Sequence, residues 1–348
     1  MNATIDEALA LLANSGPEFS YGRLRLSNHG PMGAEALLAL GRGEAVVPWV
    51  ERYKRRLEGP PEARNPIASE DWREALGDVR RVGDWAAFFA RELAGTPWPQ
   101  VLESWTRRLA PGIVASATHG VIRTAHAVRS LGEQETPARL HELAEGLAYW
   151  AATYTLLPGT PSASSRGLRP AQALREIETL PPDQQRDFGT ITSVLRKLDS
   201  LPSFASAIDL VDVGTDPSDF LSGMTETFAG VYLANADNGQ VIGLIHAVTG
   251  PSAVRLLAPH LSPETTALAL RYGWQAAAGL YATMAQQPAP ATVAPAGGDA
   301  PDIIERAVAT DDEHAIKFTE ACLREHALNP QPVYLAAALD ASARLHRR

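Results

Sequence analysis

The feature that most constrains this chain is its hydrophobic period. Along most of its 348 residues, alanine, leucine, arginine and glutamate recur at i, i+3 and i+4. That spacing lays apolar side chains on one face of a helix, while alternating β-branched runs are nearly missing. The pattern predicts an all-α fold. Helices are expected over 3–14, 31–41, 44–57, 70–78, 83–94, 97–109, 112–131 and 135–154. In the second half they are expected over 170–179, 184–198, 203–212, 216–235, 238–258, 263–285, 302–327 and 331–346, the 238–258 segment either passing or breaking at Pro251. Pro97, Pro137, Pro170, Pro217 and Pro263 fall in expected first turns, where proline's missing N–H is no loss. The best strand candidate is short and isolated, Gln240–Ile245.

Two stretches read as loops. Residues 158–170 (PGTPSASSRGLRP) are rich in Pro, Gly and Ser, and residues 288–301 (PAPATVAPAGGDAP) are of low complexity. Composition does not change across either, so the expectation is one domain, 1–348, with flexible connections. Arg166 and Arg169 make the first loop a lid or a solvated connection, the second reading being favoured. The net charge of −9 argues against nucleic acid as a partner, because phosphate binding needs a basic face. A single cysteine, Cys322, excludes a disulfide framework and a Cys-built zinc or iron–sulfur site within one chain. The N-terminus lacks the basic and apolar regions of a signal peptide. No uncharged apolar run reaches the roughly 18–20 residues of a membrane span. A cytoplasmic protein with no membrane partner is expected, its oligomeric state left open.

Internal comparison exposes a recurring local setting. A histidine precedes a small residue and an apolar helix at His29-Gly30, His119-Gly120, His246-Ala247 and His314-Ala315. Glycine or alanine there leaves room for another backbone or for a bound ion, and neutral imidazole is the commonest transition-metal ligand. His119, Arg123 and His126, at i, i+4 and i+7, share one stripe, and Val121, Ile122, Ala125 and Val128 make that helix apolar almost all round. Buried Arg and His need partners. His314 and Lys317 share a face, where a buried lysine is pushed toward its neutral amine, the form that takes up CO2 as a carbamate. The fold therefore reads as a large bundle-like helical body with an internal metal and substrate pocket. GxGxxG, Walker, GxSxG and HExxH motifs are absent. So is Glu-x-x-His, which a carboxylate di-iron bundle needs twice.

The chain resembles the questin oxidase family. The resemblance rests on Asn28-His-Gly-Pro-Met32 with Ala34-Glu-Ala-Leu-Leu-Ala-Leu-Gly41, on His119-Gly-Val-Ile-Arg-Thr-Ala-His-Ala-Val-Arg129 and on Glu145-Gly-Leu-Ala-Tyr-Trp150. Ile245-His-Ala-Val-Thr-Gly250 and Glu313-His-Ala-Ile-Lys317 extend it, from about residue 21 to about residue 327. It implies oxygen insertion or ring cleavage on an aromatic, anthraquinone-type polyketide, with O2 as co-substrate. By that resemblance Fe(II) falls to His29, His119, His246 and His314, with a carbamylated Lys317 as a further ligand. Arg123 and His126 are the expected groups on a phenol or quinone oxygen, and Tyr149, Trp150, Tyr154 and Trp274 the candidate pocket aromatics. The alternatives are a cofactor-independent oxygenase, an NADPH-dependent Baeyer–Villiger-type oxygenase, for which no nucleotide motif is present, and a non-catalytic polyketide-binding protein. This sequence is shorter than the fungal members, which leaves the substrate open.

Overall fold

A computed structural model describes residues 4–20, 24–185, 190–290, 292–294 and 297–346. Residue 3 of the first expected helix, 186–189 of that over 184–198, and 291, 295 and 296 of the second expected loop lie outside the described residues. The protein is all-α, apart from one short hairpin among the described residues. Its chain packs as two compact units, Met1–Thr155 with Leu256–Ser262 and Leu156–Arg255 with Pro263–Arg348.

The first unit holds the helices Ile5–Leu12, Gly30–Ala39, Gly43–Tyr53, Val82–Gly95, Trp98–Leu109, His119–Glu133 and Pro137–Ala152. Its hairpin pairs Glu18–Ser20 antiparallel with Leu24–Leu26. The first helix starts on a capping box: Glu7 N–H donates to Thr4 Oγ1 at 3.3 Å and Thr4 N–H to the Glu7 carboxylate at 2.7 Å. Pro137–Ala152 packs on both Val82–Gly95 and His119–Glu133. The second of these approaches is close because it is made at glycines. A Cβ on Gly120 would meet the Trp150 Cα at 2.7 Å, and one on Gly146 would meet the Thr124 backbone at 3.0 Å. The small residue after His119 thus makes room for a neighbouring helix rather than for an ion. Trp85, Phe88, Phe89 and Trp105 fill the core beside it. The expected helix over 70–78 shrinks to a single 3-10 turn, Trp72–Ala75.

The second unit contains the helices Pro217–Asn235, Val241–Leu257 (to Arg255 within this unit), Pro263–Met284, Ala300–Ala309, Glu313–Leu328 and Pro332–Arg344, with shorter ones between 170 and 209. The helix expected over 238–258 is Val241–Leu257, and it takes in all of the strand candidate Gln240–Ile245 except Gln240. A helix buried on most sides presents the same unbroken apolar run as a buried strand, which is why the segment also read as a strand candidate. Pro251 stays inside this helix without ending it. The single helix expected over 302–327 is two, because Thr310–Asp312 stop one and restart the next. Asp312 N–H donates to Thr310 Oγ1 at 3.0 Å, and Asp312 Oδ1 accepts from His314 N–H at 2.8 Å. The 203–212 segment is a 3-10 helix, Pro202–Asp209. The loop 158–170 is pinned: Arg166 N–H reaches Asp209 O at 2.7 Å, and Gln275 Nε2 donates to the Pro158 and Gly159 carbonyls at 2.9 and 3.0 Å.

Among the described residues one helical stretch, Val241–His260, is long and apolar enough to cross a membrane by length and composition, with a mean hydropathy of 1.5. It carries a single arginine, Arg255, and most of it is buried inside the protein.

Candidate metal centre

In the first unit His29 and His119 meet. Their Nε2 atoms lie 2.8 Å apart, and both side chains are buried. His29 sits at the N-cap of Gly30–Ala39, where Asn28 Oδ1 rather than the imidazole accepts from Gly30 N–H. Its Nδ1 lies 3.0 Å from Glu18 Oε2. Tyr53 reinforces this arrangement, accepting from His29 N–H at 2.7 Å and donating to Glu18 at 3.1 Å. His119 opens its own helix, with Nδ1 2.6 Å from the Ser116 carbonyl. A carbonyl only accepts, so His119 Nδ1 carries the hydrogen, and the Glu18 carboxylate imposes the same tautomer on His29. Two neutral imidazoles so held present their Nε2 lone pairs to each other at 2.8 Å. That contact is repulsive unless a cation, proton or metal ion, is shared by the two lone pairs. Two nitrogens each about 2.1 Å from one ion at right angles are about 3 Å apart, so the donor set fits a metal.

The second unit brings together His246, His314 and Lys317. The His246 and His314 rings are edge to face with centroids 5.5 Å apart. His246 lies mid-helix, and its Nδ1 donates to the Ile242 carbonyl at 2.6 Å. Burial, and then the charges of His314 and Lys317, push its pKa well below the usual histidine value. It is therefore a neutral imidazole with an acceptor Nε2, the form a metal takes. His314 occupies the first turn of Glu313–Leu328, its Nδ1 3.7 Å from both Asp312 Oδ1 and Glu313 Oε1. Asp312, Glu313 and His314 offer ligand atoms within 4.8 Å of one another. Lys317 is 4% exposed and so buried rather than reaching to solvent.

Backbone strain marks both settings. Among the described residues the non-glycine positions with positive φ are Ser116 (47°), Ala117 (56°), Thr118 (66°) and Asp311 (58°). Each stands within three residues before His119 or His314. Left-handed backbone costs a non-glycine residue about 1–2 kcal/mol and is rare in consecutive residues. Such strain persists only where the surroundings hold it.

The span 27–322 matches questin oxidase-like proteins and includes all four histidines and Lys317. The chain belongs to the questin oxidase-like family. Membership points to an oxidoreductase, an oxygenase of anthraquinone-type substrates. No curated protein matches the chain as a relative.

The other residues singled out in this questin oxidase-like sequence have defined surroundings. Arg123 is buried and gripped by Glu142, with Nε–Oε1 at 2.6 Å and Nη2–Oε2 at 2.8 Å, and lies 3.8 Å from Glu145. Burial opposes its charge, but the two carboxylates hold its pKa above the ordinary arginine value. It lines a cavity of about 150 Å³ with Asn28, His141, Glu142 and Glu145. His126 Nδ1 is bonded to Glu35, which also binds Arg129. Trp150 and Trp274 are core residues, their indole N–H groups bonded to the Gly112 and Ala207 carbonyls at 3.1 and 2.8 Å. The Tyr149 hydroxyl is 2.7 Å from Ser116 Oγ. Tyr154 is half-buried over Gly112.

Sequence reasoning did not find Glu18, Tyr53, Ser116, Glu35 or Glu142. Glu142 had a signal, because a buried arginine on an apolar helix requires a carboxylate. Glu18, on a short strand eleven residues from His29, had none.

Proposed function

We propose that this protein is a non-haem Fe(II) oxygenase acting on an anthraquinone-type aromatic polyketide, inserting oxygen or cleaving a ring. The observation that carries the reading is the His29–His119 pair, whose hydrogen-bonded Nδ1 atoms leave two Nε2 lone pairs only 2.8 Å apart. By the family resemblance, and not from the placement of the two units, His29, His119, His246 and His314 would hold the iron, with Lys317 as its carbamate supplying an anionic oxygen. When bound, the metal would supply an open position for O2 and a Lewis acid for a phenol oxygen.

The chain's own groups prepare that centre. Glu18, Ser116 and Ile242 fix three imidazole tautomers through Nδ1, and such outer partners raise ligand basicity and set ring orientation. Arg123 and His126 are proposed to receive a phenol or quinone oxygen. Glu142 and Glu35 hold them now, so an ionised phenolate is the substrate form able to compete. Tyr154 is the half-buried aromatic proposed to face the flat ring.

The test is elemental analysis of untagged protein purified without chelator, repeated after anaerobic Fe(II) addition, on wild type and on His29→Ala, His119→Ala, His246→Ala and His314→Ala. Near-stoichiometric iron lost in every variant, with quinone-dependent O2 uptake in the wild type, is the expected result. Turnover without metal would favour a cofactor-independent oxygenase, turnover only with added NADPH the Baeyer–Villiger type, and binding without turnover a polyketide carrier. A carbamate on Lys317 predicts a 13C signal after exposure to labelled bicarbonate, absent in Lys317→Met.

A further inference from the structure

We propose that Tyr149 is a positioning residue for His119, holding in place the left-handed turn whose carbonyl orients that imidazole. The inference rests on reading His119 as a metal ligand, and it goes beyond that reading by assigning what keeps the ligand in place.

Ser116, Ala117 and Thr118 are consecutive left-handed residues with no glycine among them, although the chain uses glycine at Gly41, Gly77, Gly159, Gly167, Gly214 and Gly239 for the same backbone. Three strained residues in a row relax unless something outside them prevents it. Inside the segment, Thr118 N–H donates to Val114 O at 3.1 Å and Thr118 Oγ1 to Ala117 O at 2.6 Å. These bonds shape the turn but do not anchor it to another element. The Ser116 hydroxyl does, meeting the Tyr149 hydroxyl on Pro137–Ala152 at 2.7 Å. The same residue's carbonyl accepts from His119 Nδ1 at 2.6 Å. One serine thus links a rigid helix to the imidazole, its side chain facing Tyr149 and its backbone facing His119. Tyr149 is 6% exposed, and burial keeps its phenol protonated by raising its pKa. Its hydroxyl meets Ser116 at 2.7 Å, with Ser27 beside it, an assignment that removes Tyr149 from the substrate wall.

The experiment compares full-length wild type, Tyr149→Phe, Ser116→Ala and the double variant. Co(II) affinity is read by titration of the d–d absorption, and the histidine tautomers of metal-free protein by 15N NMR. The expected result is a Co(II) affinity about 10–100-fold weaker in each single variant, the range for loss of an outer partner. The double variant should be no weaker than the singles, because both remove one bond. In NMR, a His119 signal locked as the Nδ1–H tautomer should become averaged in each variant. Unchanged affinity and tautomer in both singles, or effects that add in the double, would overturn the proposal. Failure of the wild type to bind Co(II) would count against the metal reading alone, and the NMR comparison would still decide this one. If Tyr149→Phe does not fold, Ser116→Ala carries the same comparison.

Discussion

The two units hold their histidines by different means. In the first, side-chain carboxylates carry most of the support, beside the Ser116 carbonyl that orients His119. Glu18 holds His29, while Glu35 and Glu142 clamp the His119 helix through His126, Arg129 and Arg123. In the second, His246 is held by a backbone carbonyl of its own helix, and His314 by a helix start that Asp312 caps. Carboxylates can be protonated and mutated away, whereas a backbone carbonyl can be neither. The first setting is therefore the tunable and acid-sensitive one. The second is the durable one, its His246 kept neutral by burial and by the charges beside it.

The strongest way to break this contrast is Glu35→Gln. It leaves Arg129 and His126 buried without their anion, and removal of one partner of a buried pair costs about 3–5 kcal/mol. Burial alone would raise the Glu35 pKa, but His126 and Arg129 overcome it and hold the carboxyl below its ordinary value. A carboxylate depressed in the folded state stabilises it fully above the unfolded pKa of about 4.3, and that contribution fades as pH falls through that value toward the folded one. Urea unfolding should therefore show the wild-type advantage at pH 7 shrinking below about pH 4. A gap that stays constant to pH 3 would refute the electrostatic account.

A smaller effect sharpens the comparison at the ligands. Glu18→Gln should weaken metal binding about 10–100-fold while global unfolding stays cooperative, measured by Co(II) titration. Affinity equal to wild type would mean that the carboxylate does not set the His29 tautomer.

The smallest expected effect lies at the helix starts. Asp312→Ala removes a side-chain cap that accepts from two N–H groups and should lower stability by about 1 kcal/mol. Thr118→Ala should cost less, since Thr118 makes no side-chain cap to the His119 helix. Equal losses in denaturant melts would remove the distinction between the two starts.

These differences were only partly legible in the chain. Helix starts at Pro137, Pro170, Pro217 and Pro263 were read correctly because proline's chemistry acts locally. The restart before His314 was also written locally, in Thr310-Asp311-Asp312, yet the apolar period running through 302–327 hid it. The stripe of His119, Arg123 and His126 announced a buried polar network, and the carboxylates that answer it come from 19 and 91 residues away, a distance that spacing does not encode. The turn at Ser116–Thr118 left no trace, since Ser-Ala-Thr carries none of the glycine or asparagine that marks left-handed backbone. The strands Glu18–Ser20 and Leu24–Leu26 are too short for alternation to register.

The apolar helix Val241–His260 has a consequence for how this protein is made. During synthesis it leaves the ribosome before the helices Pro263–Met284, Glu313–Leu328 and Pro332–Arg344 exist. Until they do, a segment hydrophobic enough for a bilayer has an incomplete protein to fold against, and it is the natural resting place for a chaperone. Truncations ending between 262 and 313 should accordingly associate or aggregate, because the residues that bury this stretch are still missing.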